Sequence, residues 1–434
     1  MQVQPPTVSG DKCRFCSDAT SAYSFYITLT KGMISMQFSV NESKRLGLYF
    51  HIPFCLSKCA YCDFNSAPAQ SDEVITNYIN AMIAQMESYR DAASAYIPDT
   101  VFIGGGTPTC IPPEELLRLI KAIRKNFRLK KGAEFTIEAN PATVTFSTLK
   151  RLHRAGVNRI SMGLQSAHEN ELKALGRKHT RKDFVRSYRM ARDAKFDNIN
   201  LDLMFGIPQQ TYDSLMHTIR YVCGLNPNHI SLYDLKIEPN TYFGRHYNEI
   251  KPTLPDDDTE ADMYLGAIEL LRQYGYLQYE ISNFARPGNM CEHNLKYWNC
   301  EEYIGFGVSA HSYFNGSRFS FTGDIGRYIQ GVTSTDPRVR VTETCELVEA
   351  RERMGEYIML RLRLTAGISD REFTRRFGYS FESLYGDKCR RFIEHGFMTG
   401  NNGIFTLTPA GMFISNYILS EILEFEDFGR YNFS

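Results

Sequence analysis

The 434-residue chain lacks several things, and each absence closes off a class of protein. Its net charge is zero, 49 Lys and Arg against 49 Asp and Glu, so no long-range field draws it to nucleic acid or to an anionic membrane. No apolar run reaches the roughly 18 residues that a spanning helix needs. The opening MQVQPPTVSGDK has no charged segment leading into an apolar one, so no secretory signal is expected and a cytoplasmic location is. Tryptophan is nearly missing, Trp298 being the only one. The eleven cysteines form an odd, unevenly spaced set, which argues against a disulfide framework. What is there is ordinary globular composition, 43% hydrophobic and 23% charged, enough to bury a core without staples.

Residues 1–45 mix Pro, Ser, Thr and Gly without periodicity and read as an N-terminal extension. Cys13 and Cys16 form a pair with no second pair nearby, and Met33 and Met36 are alternative starts. From residue 46 short apolar runs alternate with amphipathic stretches. LGLYFHI (46–52), DTVFIGG (99–105), EFTIEA (134–139), NRISMGL (158–164), NINLDLMFG (198–206) and HISLYDLKI (229–237) predict buried strands. Helical patterns lie between them at 73–92, 113–126, 144–155, 181–194 and 211–224. Such alternation means an α/β fold with a parallel sheet and right-handed crossovers. Six units predict a partial (β/α)6 barrel; a doubly wound sheet is the alternative that the repeat does not separate from it.

Beyond residue 257 the rhythm changes. One more helix is predicted over 257–274, then a stretch over 277–315 rich in Tyr, Asn, Gly and His. The barrel region is expected over 46–315 and a C-terminal helical module over 316–434. The string FIEHGFMTGNNGIFTLTPAGMFISNYIL predicts a helix, a hairpin with Asn-Asn-Gly at its tip and another helix, a winged-helix-like arrangement. With no net charge, a packing or partner surface fits it better than DNA.

The chemistry concentrates in HIPFCLSKCAYCDFNS, 51–66. Cys55-x3-Cys59-x2-Cys62 follows a predicted strand, and three thiolates so close can hold three corners of a [4Fe–4S] cluster. The missing fourth ligand leaves one iron open to a chelating amine and carboxylate. Tyr61 supplies an aromatic wall. Tetrahedral zinc, the competing reading, wants four ligands, and none follows at a suitable spacing. This C-x3-C-x2-C loop at the end of the first barrel strand resembles the radical S-adenosylmethionine superfamily. That resemblance implies a cluster that passes one electron to bound S-adenosylmethionine, giving a 5′-deoxyadenosyl radical, with the protein supplying orientation.

VFIGGGTPT, 101–109, ends the next strand with glycines that let backbone approach a ligand closely. Glu138, Gln165, Arg177 and Asp202 stand at or just beyond the ends of successive strands, the active-site face of a parallel barrel. Each taken singly also reads as a helix cap or loop salt bridge. With GGGTPT, TIEANP and LDLMFGIP they resemble the oxygen-independent coproporphyrinogen III oxidase family, over about 46–315 and more weakly beyond. The resemblance implies that Tyr49, Gly105, Gly106, Thr107, Glu138, Gln165, Arg177 and Asp202 contact S-adenosylmethionine, with further, backbone contacts at Lys236 and His311.

Two features decide within that family. The decarboxylating dehydrogenases carry a fourth cysteine two residues after the third, and Phe64 stands there instead. The CDFNS string, with His293-Asn294-x2-Tyr297-Trp298 in 291–312, resembles the haem chaperone branch. That branch implies haem as cargo, with His293 offering an axial imidazole and Tyr297 and Trp298 a flat apolar platform near the open mouth of the barrel. A satisfied core histidine beside a packed aromatic pair is the alternative. The expected partners are haem or a related tetrapyrrole and the apo-haem proteins that receive it. The competing activity is decarboxylation of coproporphyrinogen III, or another radical reaction on a tetrapyrrole.

Overall fold

Six apolar runs form six consecutive parallel strands, β1 (Lys44–Ile52), β2 (Tyr96–Gly105), β3 (Glu134–Ala139), β4 (Arg159–Gln165), β5 (Asn198–Phe205) and β6 (His229–Asp234). The structure, a computed structural model, describes residues 44–68, 70–336 and 339–423. The Cys13–Cys16 pair and the extension before residue 44 lie outside the described residues. Helices cross over between the strands where they were expected, at Asp72–Tyr89, Pro113–Asn126, Phe146–Arg154, Arg181–Asp193 and Tyr212–Leu225, and Asp257–Gln273 follows. In Pro113–Asn126 the buried Leu116, Leu119, Ile120 and Ile123 recur at helical spacing, one stripe facing the sheet. Each such side chain contributes about 1.5–3 kcal/mol by leaving water.

Strand order separates the two architectures that the repeat left open. Each strand pairs in parallel with its successor, β1 with β2 and so on to β6. A doubly wound sheet reverses direction part way along, whereas this sheet is wound one way, as a barrel is. Its ends do not meet, so the barrel is partial.

The stretch after residue 277 is more regular than its composition suggested. β7 (Leu277–Glu280) and β8 (Asn283–Ala285) extend the sheet past β6. A short helix, Glu292–Trp298, crosses to β9 (Tyr303–Phe306), which lies parallel to β1 on its far side. β10 (His311–Phe314), β11 (Ser317–Phe321) and β12 (Thr342–Leu347) continue antiparallel to the far edge of a twelve-stranded sheet. The expected division at 315 falls within the β10–β11 hairpin, so these strands belong with the barrel sheet.

Helix Ala350–Arg361 opens the C-terminal module. Helices Asp370–Phe377 and Phe381–Glu394 and a three-stranded sheet follow, the sheet including the hairpin Met398–Asn401 with Ile404–Leu407. Asn402 and Gly403 both take positive φ at the tip, the geometry of a tight two-residue turn. The order of helices and strands is that of a winged helix. Among the described residues no helix is long and apolar enough to cross a membrane.

Candidate functional site

β1 and β2 end side by side, Ile52 opposite Gly105, and both chains then turn into loops that hold each other. Gly106 N donates to Ile52 O at 2.8 Å and Thr107 N to Phe54 O at 2.7 Å. A Cβ on Gly106 would stand 2.7 Å from Phe54 O and 3.0 Å from Cys55 Sγ, closer than real Cβ contacts come, so the close approach requires glycine. Thr107 Oγ1 faces Cys55 Sγ at 3.6 Å and accepts from Asn140 Nδ2 at 2.6 Å.

A cavity of about 940 Å³ opens at this end of the strands. Cys55, Cys59 and Cys62 all line it, with Tyr61 among them. Burial raises the Cys55 and Cys62 thiols, and the neighbouring cysteines add to this. Among the described residues no three His, Cys, Asp or Glu side chains converge as a single metal ion requires. Three thiols around one roomy cavity fit a polynuclear cluster, whose irons stand apart, better than one tetrahedral ion.

Gly105, Gly106, Thr107, Glu138, Gln165 and Arg177 line the same cavity, as do Asp202, Lys236 and His311. Glu138 is half-buried, accepts from Gly105 N at 2.9 Å, and is pushed up to about 7 by desolvation and then by Asp202. Arg177 lies just before Thr180, whose capping box with Asp183 fixes the entry to helix Arg181–Asp193. Its Nη1 faces Cys59 Sγ at 3.5 Å, and its Nη2 donates to Asn140 Oδ1 at 2.7 Å and Gly163 O at 2.8 Å. Gln165 sits at a register shift between β4 and β5 with φ +71°, unusual for a residue with a side chain. Among the described residues Gln165 Oε1 and Arg177 Nε are buried without a partner. Both line the cavity, so both are available to a polar ligand there. Asp202 accepts from Asn200 Nδ2 at 2.7 Å and Ser161 Oγ at 3.2 Å.

Tyr49 does not line the cavity. Its hydroxyl meets His51 Nδ1 at 3.0 Å, and His51 Nε2 meets Asn65 O at 2.9 Å. Asn65 Nδ2 in turn donates to Ser309 Oγ and Gly323 O. The Tyr49–His51 pair therefore ties the cysteine loop to β1, and burial lowers His51 to about 4, keeping it neutral. Motif reading missed His51, Asn65 and Asn140. The signal for His51 was its place two residues from Tyr49, on the same face of a strand.

The haem candidates divide. Tyr297 and Trp298 line a second, smaller cavity of about 130 Å³, and Trp298 also lines the large one. His293, expected near the barrel mouth, lines neither cavity. It sits in a helix, 1% exposed, where its Nδ1 meets Thr100 Oγ1 and its Nε2 meets Tyr297 OH, both at 2.8 Å. Its ring stacks on Phe102 at 5.3 Å. The rotation is set by Glu134 of β3, which accepts from the backbone N–H groups of Glu292 and His293, both at 3.0 Å.

Residues 49–222 match the model of the radical SAM superfamily, and residues 348–414 that of the HemN C-terminal domain. The chain is 38% identical to the heme chaperone HemW of Bacillus subtilis over 378 residues, 86% of this chain and 98% of that one. It is 36% identical to the heme chaperone HemW of Escherichia coli, covering 87% and 98%. Its fold resembles the solved coproporphyrinogen III oxidase HemN of Escherichia coli, with a TM-score of 0.77 at 22% identity over 88% of this chain and 90% of that one.

Proposed function

The chain belongs to the HemW family of radical S-adenosylmethionine proteins, and from that premise we propose that it binds haem and delivers it to apo-haem proteins. Membership implies a [4Fe–4S] cluster and S-adenosylmethionine, which when bound supply one-electron chemistry at a sulfonium. The observation that carries the haem reading is kinship along nearly the whole length of curated haem chaperones. Phe64 in place of a fourth cysteine supports it against the dehydrogenase. A cytoplasmic location suits a cluster built on free thiolates.

In this reading Cys55, Cys59 and Cys62 ligate three irons and leave the fourth to S-adenosylmethionine. Gly105, Gly106 and Thr107 would bring backbone to its methionyl amine, and Glu138 would accept a hydrogen bond from that amine. Arg177 offers its unpartnered Nε to the carboxylate. Gln165 and Asp202 take the ribose side, with Lys236 further along the wall. Tyr49 acts from behind, by steadying His51 and through it the cysteine loop.

Arg177→Ala removes a charge-assisted contact worth about 1.5–3 kcal/mol. S-adenosylmethionine affinity, measured by anaerobic calorimetry on cluster-loaded protein, is expected to fall roughly 10- to 100-fold by the same figures. Unchanged affinity removes Arg177 from the carboxylate site.

A paired assay tests the function. Purified protein titrated with haem is expected to bind one equivalent saturably, followed by the Soret band. Incubated anaerobically with coproporphyrinogen III, S-adenosylmethionine and reductant, it is expected to release no carbon dioxide and form no vinyl product. Robust decarboxylation without haem binding establishes the oxidase activity instead.

A further inference from the structure

We infer that the tetrapyrrole lies across the junction of the two cavities, with His311 as its iron ligand and Arg353 and Arg376 as partners for its propionates. This rests on the haem reading above and assigns the residues within it.

Size decides the placement first. Pockets that enclose molecules of this class run to about 300–1,000 Å³. The smaller cavity, at about 130 Å³, admits only one edge of a macrocycle, while the larger, at about 940 Å³, also has to hold S-adenosylmethionine at its cluster end. The two are neighbours: Tyr233, Ser282, Asn294, Trp298 and His311 line both. A flat ligand with one edge in the small cavity therefore has its centre beside these shared residues. Tyr297, Trp298, Tyr303 and Tyr313 wall the small cavity with rings, the surface that a porphyrin face buries.

Ligand chemistry decides the histidine. His51 and His311 are the two histidines that line either cavity among the described residues. Both ring nitrogens of His51 are engaged, and so are both of His293, which is sealed in the core. His311 is half-buried at the start of β10, and among the described residues its ring forms no hydrogen bond. Burial, and then the positive charge of Arg318, lower its proton affinity, so a neutral imidazole with a free lone pair faces the junction.

The rim supplies the anion partners. Arg318 is committed to both carboxylate oxygens of Glu356. Arg353 and Arg376, from two helices of the C-terminal module, are exposed at the mouth of the small cavity. Among the described residues Arg353 has no ion-pair partner, and Arg376 rests its guanidinium 4.8 Å over the Tyr357 ring. Propionates at a wet rim, a macrocycle between rings and an imidazole at the centre form one consistent pose.

The test is haemin titration of the full chain, read from the Soret band, with the thermal midpoint of every variant checking its fold. His311→Gly is expected to weaken binding at least tenfold and shift the band, and free imidazole is expected to restore the wild-type spectrum. Arg353→Gln with Arg376→Gln is expected to weaken binding severalfold with the band unmoved, because these residues touch propionates and not iron. Wild-type binding and spectrum in His311→Gly overturn the assignment and leave the haem reading standing. Loss that imidazole does not repair overturns the ligand role as well. The conservative His311→Gln, which keeps the side-chain bulk, replaces the glycine variant if that one unfolds, and an unchanged spectrum there overturns the proposal. Failure of the wild type to bind haem overturns the functional reading itself, and this inference with it.

Discussion

Cys59→Ala is expected to abolish the iron–sulfur cluster. Wild-type protein reconstituted anaerobically is expected to carry about four irons per chain, and the variant close to none. The site has three thiols and no fourth cysteine in the loop, so two remaining ligands leave half the cluster without protein anchors. Cys59 is also the thiol that Arg177 Nη1 faces, so its loss removes one contact of that guanidinium while Asn140 and Gly163 still hold Nη2. The fold itself is expected to survive. The cysteine loop is held by backbone bonds that alanine keeps, Ala60 N to Leu175 O at 3.1 Å and Cys62 N to Cys59 O at 3.2 Å. Iron and sulfide analysis with the visible spectrum reads the outcome, and near-wild-type iron, or one zinc per chain in place of iron, refutes the ligand set.

Gly105→Val is expected to cost both cofactor binding and part of the cluster. At φ +110° the backbone is in a region that L side chains rarely adopt, so any substitution is strained. A Cβ there would stand 2.5 Å from the His51 ring, and a branched side chain displaces it further. His51 is wedged between Tyr49 and Asn65 O, so the push travels into the cysteine loop. The flexed strand end also takes with it the Gly105 N–H that holds Glu138. S-adenosylmethionine affinity is expected to drop by at least a hundredfold, with iron content below wild type. Motif reading alone predicts a simpler result, loss of the cofactor with the cluster intact, because it places only ligand beside this glycine. Calorimetry and iron analysis on the same sample separate the two, and wild-type values for both show that the loop tolerates bulk.

The parts of the site legible in the chain are those whose geometry is local or follows from one topological rule. Three cysteines within eight residues are neighbours however the chain runs. Glu138, Gln165 and Asp202 come together because they stand on parallel strands whose C-terminal ends share one face, while Arg177 arrives from the loop before helix Arg181–Asp193. The six-unit rhythm carried the barrel strands and their helices for the same reason. β9 to β12 were not legible: they are short and partly exposed, and their place in the sheet depends on β9 pairing with the free edge of β1.

The sequence by itself determined the cysteine loop, the order of strands and the family to which those motifs point. Tertiary structure alone decided which side chains of the H-N-x2-Y-W segment face a cavity. In a helix, residues four apart share a face, so His293 pairs with Tyr297 and Asn294 with Trp298. Asn294, Tyr297 and Trp298 line a cavity and His293 does not, because the carboxylate of Glu134, more than 150 residues earlier in the chain, grips the first N–H groups of that helix and rotates His293 into the core against Thr100 and Phe102. No local pattern encodes that rotation, because the contact that fixes it exists only once β3 is in the sheet.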